Sequence, residues 1–81
     1  MSKLPYLYGK ALKLARLYPH GDLGTLTTHL AEAIGQIGDH HEVEYNTNRA
    51  LELCDKLIKE VRSANAVIQI NSIKKTLNHL L

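Results

Sequence analysis

The stretch ALELCDKLIKEVRSANAVI, residues 50–68, decides the fold class. Ala50, Leu53 with Cys54, Leu57, Val61, Ala64 and Ile68 recur at three and four residues, the spacing that lines one face of an α-helix. The opposite face carries Glu52 with Lys56 and Asp55 with Lys59. Each is an acid four residues before a base, an arrangement that supports an exposed helical surface. The pattern predicts a helix over about 47–69, ended by Ile70-Asn71-Ser72.

Upstream, Leu23, Leu26, Leu30, Ile34 and Ile37 keep the same spacing and predict a helix over 23–38, capped by Asp22 or Thr25. Gly35 and Gly38 weaken its end by about 1 kcal/mol each relative to alanine. A glycine here marks either close approach to a neighbouring backbone or fraying. The polar run Asp39 to Asn48 reads either as more of this helix or as a loop, and the cap-type residues Asn46, Thr47 and Asn48 place a boundary there. Earlier still, Leu4, Leu7, Ala11, Leu14 and Tyr18 predict a helix over 4–18. Pro5 fits its first turn and Pro19 stops it. Downstream, Ile73, Leu77 and Leu80 predict a last helix over 72–81, capped by Asn71 or Ser72. Barely two turns long, it needs packing to be stable.

Four amphipathic helices with short connections predict an all-α, antiparallel up-down-up-down four-helix bundle with a short fourth helix, one domain spanning residues 1–81. With four Tyr and neither Phe nor Trp, the core has to be built from Leu, Ile, Val and Ala. Alanines on the seams (Ala11, Ala33, Ala50, Ala64) permit close helix approach. The apolar seams are generous for 81 residues, which leads us to expect surface left over for a second copy or a partner, and hence a homo-oligomer.

Several function classes find no support. Cys54 is the one cysteine, so no internal disulfide forms; on an apolar face it reads as a small buried hydrophobe. The apolar run from Leu4 to Leu17 is broken by Lys10, Lys13 and Arg16, so neither a membrane span nor a leader is expected, and the expected location is cytoplasmic. His40, His41, Glu42 and Glu44 are the densest group of ligand-type residues, but side chains one residue apart on a helix diverge by about 100°. The spacings His41 to Glu44 and His29 to Glu32 match neither di-iron bundles nor zinc helices, so no metal or cofactor is expected. No nucleophile motif, phosphate-cradling loop or carboxylate pair is present, and Arg16 and His20 sit close together across Pro19. No enzymatic activity is expected.

Charge is segregated along the chain. The first twenty residues hold Lys3, Lys10, Lys13 and Arg16 with no acid. Asp22 to Glu44 holds five acids and neither Lys nor Arg, and the last twenty-one residues hold Arg62, Lys74 and Lys75 with no acid. Either this produces a dipolar surface or the blocks mix on folding. Lys3, Lys10, Lys13, Arg16, Lys74 and Lys75 are the candidate phosphate contacts. Tyr6 and Tyr8 are candidates for stacking on bases, and a ring of copies would multiply the patch by avidity. The alternative is a protein-interaction module, such as an immunity protein, a phage inhibitor or an antitoxin, acting through its acidic middle without nucleic acid.

Three stretches carry a family resemblance: Ala11 to His20, Leu26 to Gly38 with its Ala33-Ile34-Gly35-Gln36-Ile37-Gly38 ending, and Asn48 to Arg62. Over about residues 7–81 the chain resembles the four-helix-bundle proteins encoded in ribosomal RNA intervening sequences. It is similar also to their relatives, the accessory variability proteins of diversity-generating retroelements. The shared features are a proline ending the first helix, an apolar helix with small residues near its end, and a long helix opening on an arginine-containing turn. The resemblance implies pentameric rings with a basic outer surface and, in the retroelement branch, binding to RNA or DNA and to a reverse transcriptase. The expected function is thus a non-catalytic accessory protein that binds nucleic acid and assists a larger enzyme such as a reverse transcriptase.

Overall fold

A computed structural model describes residues 3–80. Four helices follow in order: α1 (Leu4–Leu17), α2 (Gly21–Gly38), α3 (Val43–Glu60) and α4 (Ala64–Asn78). Among the described residues there is no strand. Each helix lies against the next, and α1 also meets α4, while the backbones of the diagonal pairs α1/α3 and α2/α4 stay more than 8 Å apart. That is the closed square of an antiparallel four-helix bundle. Its long axis of 31 Å suits helices of 14 to 18 residues at about 1.5 Å per residue.

The α1–α2 corner is a backbone-to-backbone contact. Pro19 ends α1, and Gly21 turns the chain with φ of 68°, a left-handed conformation that glycine adopts without steric cost. The first turn of α2 then packs so closely on the corner that a Cβ at Gly24 would lie 2.8 Å from the Pro19 carbonyl carbon. Thr27, buried beside it, holds its hydroxyl 3.1 Å from the Gly24 carbonyl and 3.3 Å from that of Tyr18. Helix α2 therefore begins two residues earlier than its apolar pattern indicates. Neither Asp22 nor Thr25 caps it: residue His20 holds the cap position without a side-chain bond, and the Thr25 hydroxyl donates to the Gly21 carbonyl within the helix.

Of the polar run from Asp39 onward, only four residues are loop. His40, at φ of 61°, donates its N–H to the Ile37 carbonyl, and the His41 N–H reaches back to Gln36. This pair of bonds is the Schellman arrangement that satisfies the last carbonyls of a helix. Helix α3 then starts at Val43, not at 47. Asn46 and Thr47 do not cap it but lie buried inside its first turn. The Asn46 amide donates to the carbonyls of His41 and Glu42, and the Thr47 hydroxyl donates to Val43. Small polar side chains that compete for backbone partners serve a cap and a first-turn strap equally well, so their composition marked the region but not the boundary.

The seam of residues 50–68 is not one helix: α3 ends at Glu60, and Val61 is extended with ψ of 145°. Ser63 caps α4, its hydroxyl accepting from the Ala66 N–H at 3.3 Å. Past the break the heptad register no longer faces the core, so Ala64 is exposed and Ile68 is 64% exposed. Ile70, Asn71 and Ser72 lie mid-helix and neither break nor cap anything. The fourth helix is accordingly 15 residues long, not a short one. The expected end at residue 81 lies outside the described residues.

The core draws on all four helices: Leu7 and Ala11; Leu30, Ile34 and Ile37; Ala50 and Leu57; Ile70, Ile73 and Leu77 are each at most 1% exposed. Full burial of each such large aliphatic contributes about 1.5–3 kcal/mol. The contacts of α2 with α1 and with α3 are the most extensive, and the α1–α4 seam is the lightest. There α4 presents Asn65, Gln69 and Ser72, three neutral polar side chains at helical spacing, and the seam opens into a groove.

Candidate nucleic-acid interface

The charge blocks of the sequence meet only at their borders on folding, because the two ends of the chain become neighbours. Residues 21–60 hold all eight acids and three of the ten cations; the remaining chain holds seven cations and no acid. Since α1 touches α4, and α2 touches α3, the bundle consists of an acid-free helix pair laid against an acid-rich one. Lys3 and Lys13 are exposed on the acid-free side, as are Arg16 near the end of α1 and Lys75 on the outer face of α4. Among the described residues one ion pair forms, and it involves none of these four.

That pair removes a candidate from the open set. Lys74 points toward α3 and meets Asp55 at 2.6 Å. The Asp55 carboxylate, hydrogen-bonded to the ammonium and adding its charge, holds Lys74 above the ordinary lysine value. Its cation is already answered at the border of the two halves.

Lys10 is half-buried where α1 meets α4. Its ammonium donates to the Gln69 Oε1 at 3.0 Å and the Ser72 Oγ at 3.1 Å, and lies 5.1 Å from the centroid of the Tyr6 ring. An ammonium has three donors, so one remains beyond the two committed to α4. Around this point runs the groove, whose walls include Tyr6, Lys13 and Leu17 from α1 and Asn65 and Gln69 from α4. Tyr6 and Leu17 are 60% and 69% exposed. Tyr8, the other expected stacking residue, faces away from the groove and rests against Gly35 of α2, 3.5 Å from where a Cβ would stand.

The amides Asn65 and Gln69 were not among the residues singled out from sequence. Their spacing of four, followed by Ser72 three residues on, is a polar helical stripe. It is visible only once residues 64–78 are read as one helix.

No three His, Cys, Asp or Glu side chains among the described residues come together in a way that holds a metal. The α2–α3 cleft mixes His29, Arg49 and Lys56 with Glu52. Cys54 is fully buried, and desolvation, helped by the neighbouring Asp55 charge, pushes its thiol up to about 12, where the nucleophilic thiolate is scarce. Among the described residues no helix is long and apolar enough to cross a membrane. Comparison with family models, curated proteins and solved structures finds no match to this chain.

Proposed function

We propose that this chain is a non-catalytic nucleic-acid-binding protein that takes the phosphate backbone on its acid-free α1–α4 face. One observation carries the reading: the two helices without an acid adjoin, so cations from the two ends of the sequence sit on neighbouring helices that carry no carboxylate. Phosphate binding needs cations on a rigid support, and its affinity comes from counterion release. Lys3, Lys10, Lys13, Arg16 and Lys75 are the working contacts, and Lys74 contributes less because Asp55 already neutralises it. A single face of this size binds weakly. Self-association, or docking on a larger nucleic-acid enzyme, would raise affinity by holding several faces on one strand.

The test is a salt titration of a labelled oligonucleotide by fluorescence anisotropy. Five phosphate contacts give a slope of log affinity against log salt near −3.5 for a single strand, at about 0.7 per contact. That is roughly a hundredfold loss between about 50 and 200 mM salt. Alanine at Lys10, Lys13 and Arg16 should flatten the slope by about two units. Absence of binding at low salt, or a slope shallower than about −1, refutes the reading.

The acid-rich half supports a second one. With all eight acids on α2, α3 and their connection, that side suits a basic protein partner. Binding lost on alanine substitution at Glu42 and Glu44, but kept at Lys10, Lys13 and Arg16, would favour it.

A further inference from the structure

The groove between α1 and α4 has more in it than charge. Lys10 holds three groups together: the ammonium lies over the Tyr6 ring and is bonded to Gln69 and Ser72 across the seam. An exposed tyrosine thereby lies beside an amide whose oxygen already accepts from Lys10, so the Gln69 NH2 is what remains to offer. The ring is still 60% exposed, which leaves a flat aromatic surface at the groove edge. Lys13 and Asn65 follow within the same groove, toward Leu17.

We infer that this groove is a site for single-stranded nucleic acid, in which one unpaired base stacks on Tyr6. The Gln69 NH2 donates to an acceptor on a base edge, and the free donor of Lys10 and the ammonium of Lys13 hold the flanking phosphates. The inference rests on the acid-free face binding nucleic acid and specifies which kind. Geometry disfavours a duplex. Two helices side by side are about 20 Å across, whereas the major groove is about 12 Å wide and admits one. Tyr6 and Gln69, set at the seam of the pair, therefore cannot reach paired base edges, while a single strand presents its bases freely. From Tyr6 to Leu17 the groove runs about 16 Å at the helical rise, room for a short run of nucleotides of one strand.

The experiment compares single-stranded RNA and DNA of about 12 nucleotides with a hairpin duplex of equal charge, by anisotropy at about 50 mM salt, for the unaltered chain, Tyr6→Ala and Tyr6→Phe. The expected result is at least about tenfold preference for the single strands. Tyr6→Ala should lose about tenfold, the order of one base stack, and Tyr6→Phe should stay within about twofold because its ring remains. Both tyrosine substitutions are at an exposed position, and circular dichroism checks that the fold is kept. If duplex and single strand bind alike, or Tyr6→Ala changes nothing while salt-dependent binding persists, the single-strand inference falls and the charged-face reading stands. If neither nucleic acid binds, both fall.

Discussion

Gly24→Ala tests the close backbone approach at the α1–α2 corner. In an ordinary helix interior this substitution stabilises by about 1 kcal/mol, because alanine loses less entropy on folding. Here the new Cβ would meet the Pro19 carbonyl carbon at 2.8 Å, its oxygen at 2.9 Å and the Tyr18 oxygen at 3.2 Å. All three are main-chain atoms and cannot rotate away. Overpacking of this kind costs about 1–3 kcal/mol. Pushing the corner outward also stretches the Thr27 hydroxyl's contact with Tyr18, already 3.3 Å, worth about 1 kcal/mol. Against the gain in helix propensity, the net is a destabilisation of about 1–3 kcal/mol. In a domain of this size that lowers the melting temperature by roughly 5–20 °C. Gly9 provides the control: it sits mid-α1 with nothing within 4 Å of a built Cβ, so Gly9→Ala should raise the melting temperature by about 4–8 °C. Thermal melts followed by far-UV circular dichroism, with urea titrations to check that the m-value is unchanged, measure both. A Gly24→Ala protein as stable as the parent would show that the α1–α2 corner is not packed as described.

Three further outcomes follow from local geometry. Ser63→Ala removes the cap that accepts from Ala66 and should destabilise by about 1 kcal/mol in urea melts; no loss would mean that packing alone sets the α3–α4 break. His40→Gly relieves a left-handed residue at φ of 61° and should stabilise by about 0.5–1 kcal/mol after glycine's extra unfolded-state entropy is counted, so a lowered melting temperature would contradict it. Cys54 should resist a thiol-specific reagent in the folded protein and react quickly in urea. Its folded value, about 12, is raised above the ordinary 9.0, so the thiol proton is held more tightly folded than unfolded. That contribution is intact below pH 9.0 and declines as pH rises toward about 12. Relative to Cys54→Ala, the parent should therefore lose stability over that alkaline range, and parallel curves would reject the argument.

Fold class was legible because amphipathic spacing is a local property. Leu7, Ala11 and Leu14, and Leu30, Ile34 and Ile37, face the core as their three- and four-residue intervals require. Boundaries were less legible where one residue type serves two purposes. Asn46 and Thr47 carry the composition of a cap yet strap the inside of a first turn. Ser63 carries the same composition and is a cap, but it was hidden under a heptad pattern that runs through Val61 to Ile68 without interruption. Periodicity cannot reveal a break when apolar residues happen to stay in phase across it. The candidate interface was half visible. Its cations were conspicuous in the sequence, whereas Asn65 and Gln69 became part of a groove, and Ser72 a partner of Lys10, only once α4 was continuous.

By itself the sequence determined that four amphipathic helices form, that they bury aliphatic stripes, and that its acids are confined to the middle of the chain. Each of these follows from the order of side chains over a few turns. Tertiary structure alone decided that the first and last helices adjoin, that Lys74 is neutralised across a seam while Lys10 is tied to α4, and that Tyr6 lies beside Gln69. Residues 59 and 62 positions apart meet there only because closure of the bundle brings its two ends together.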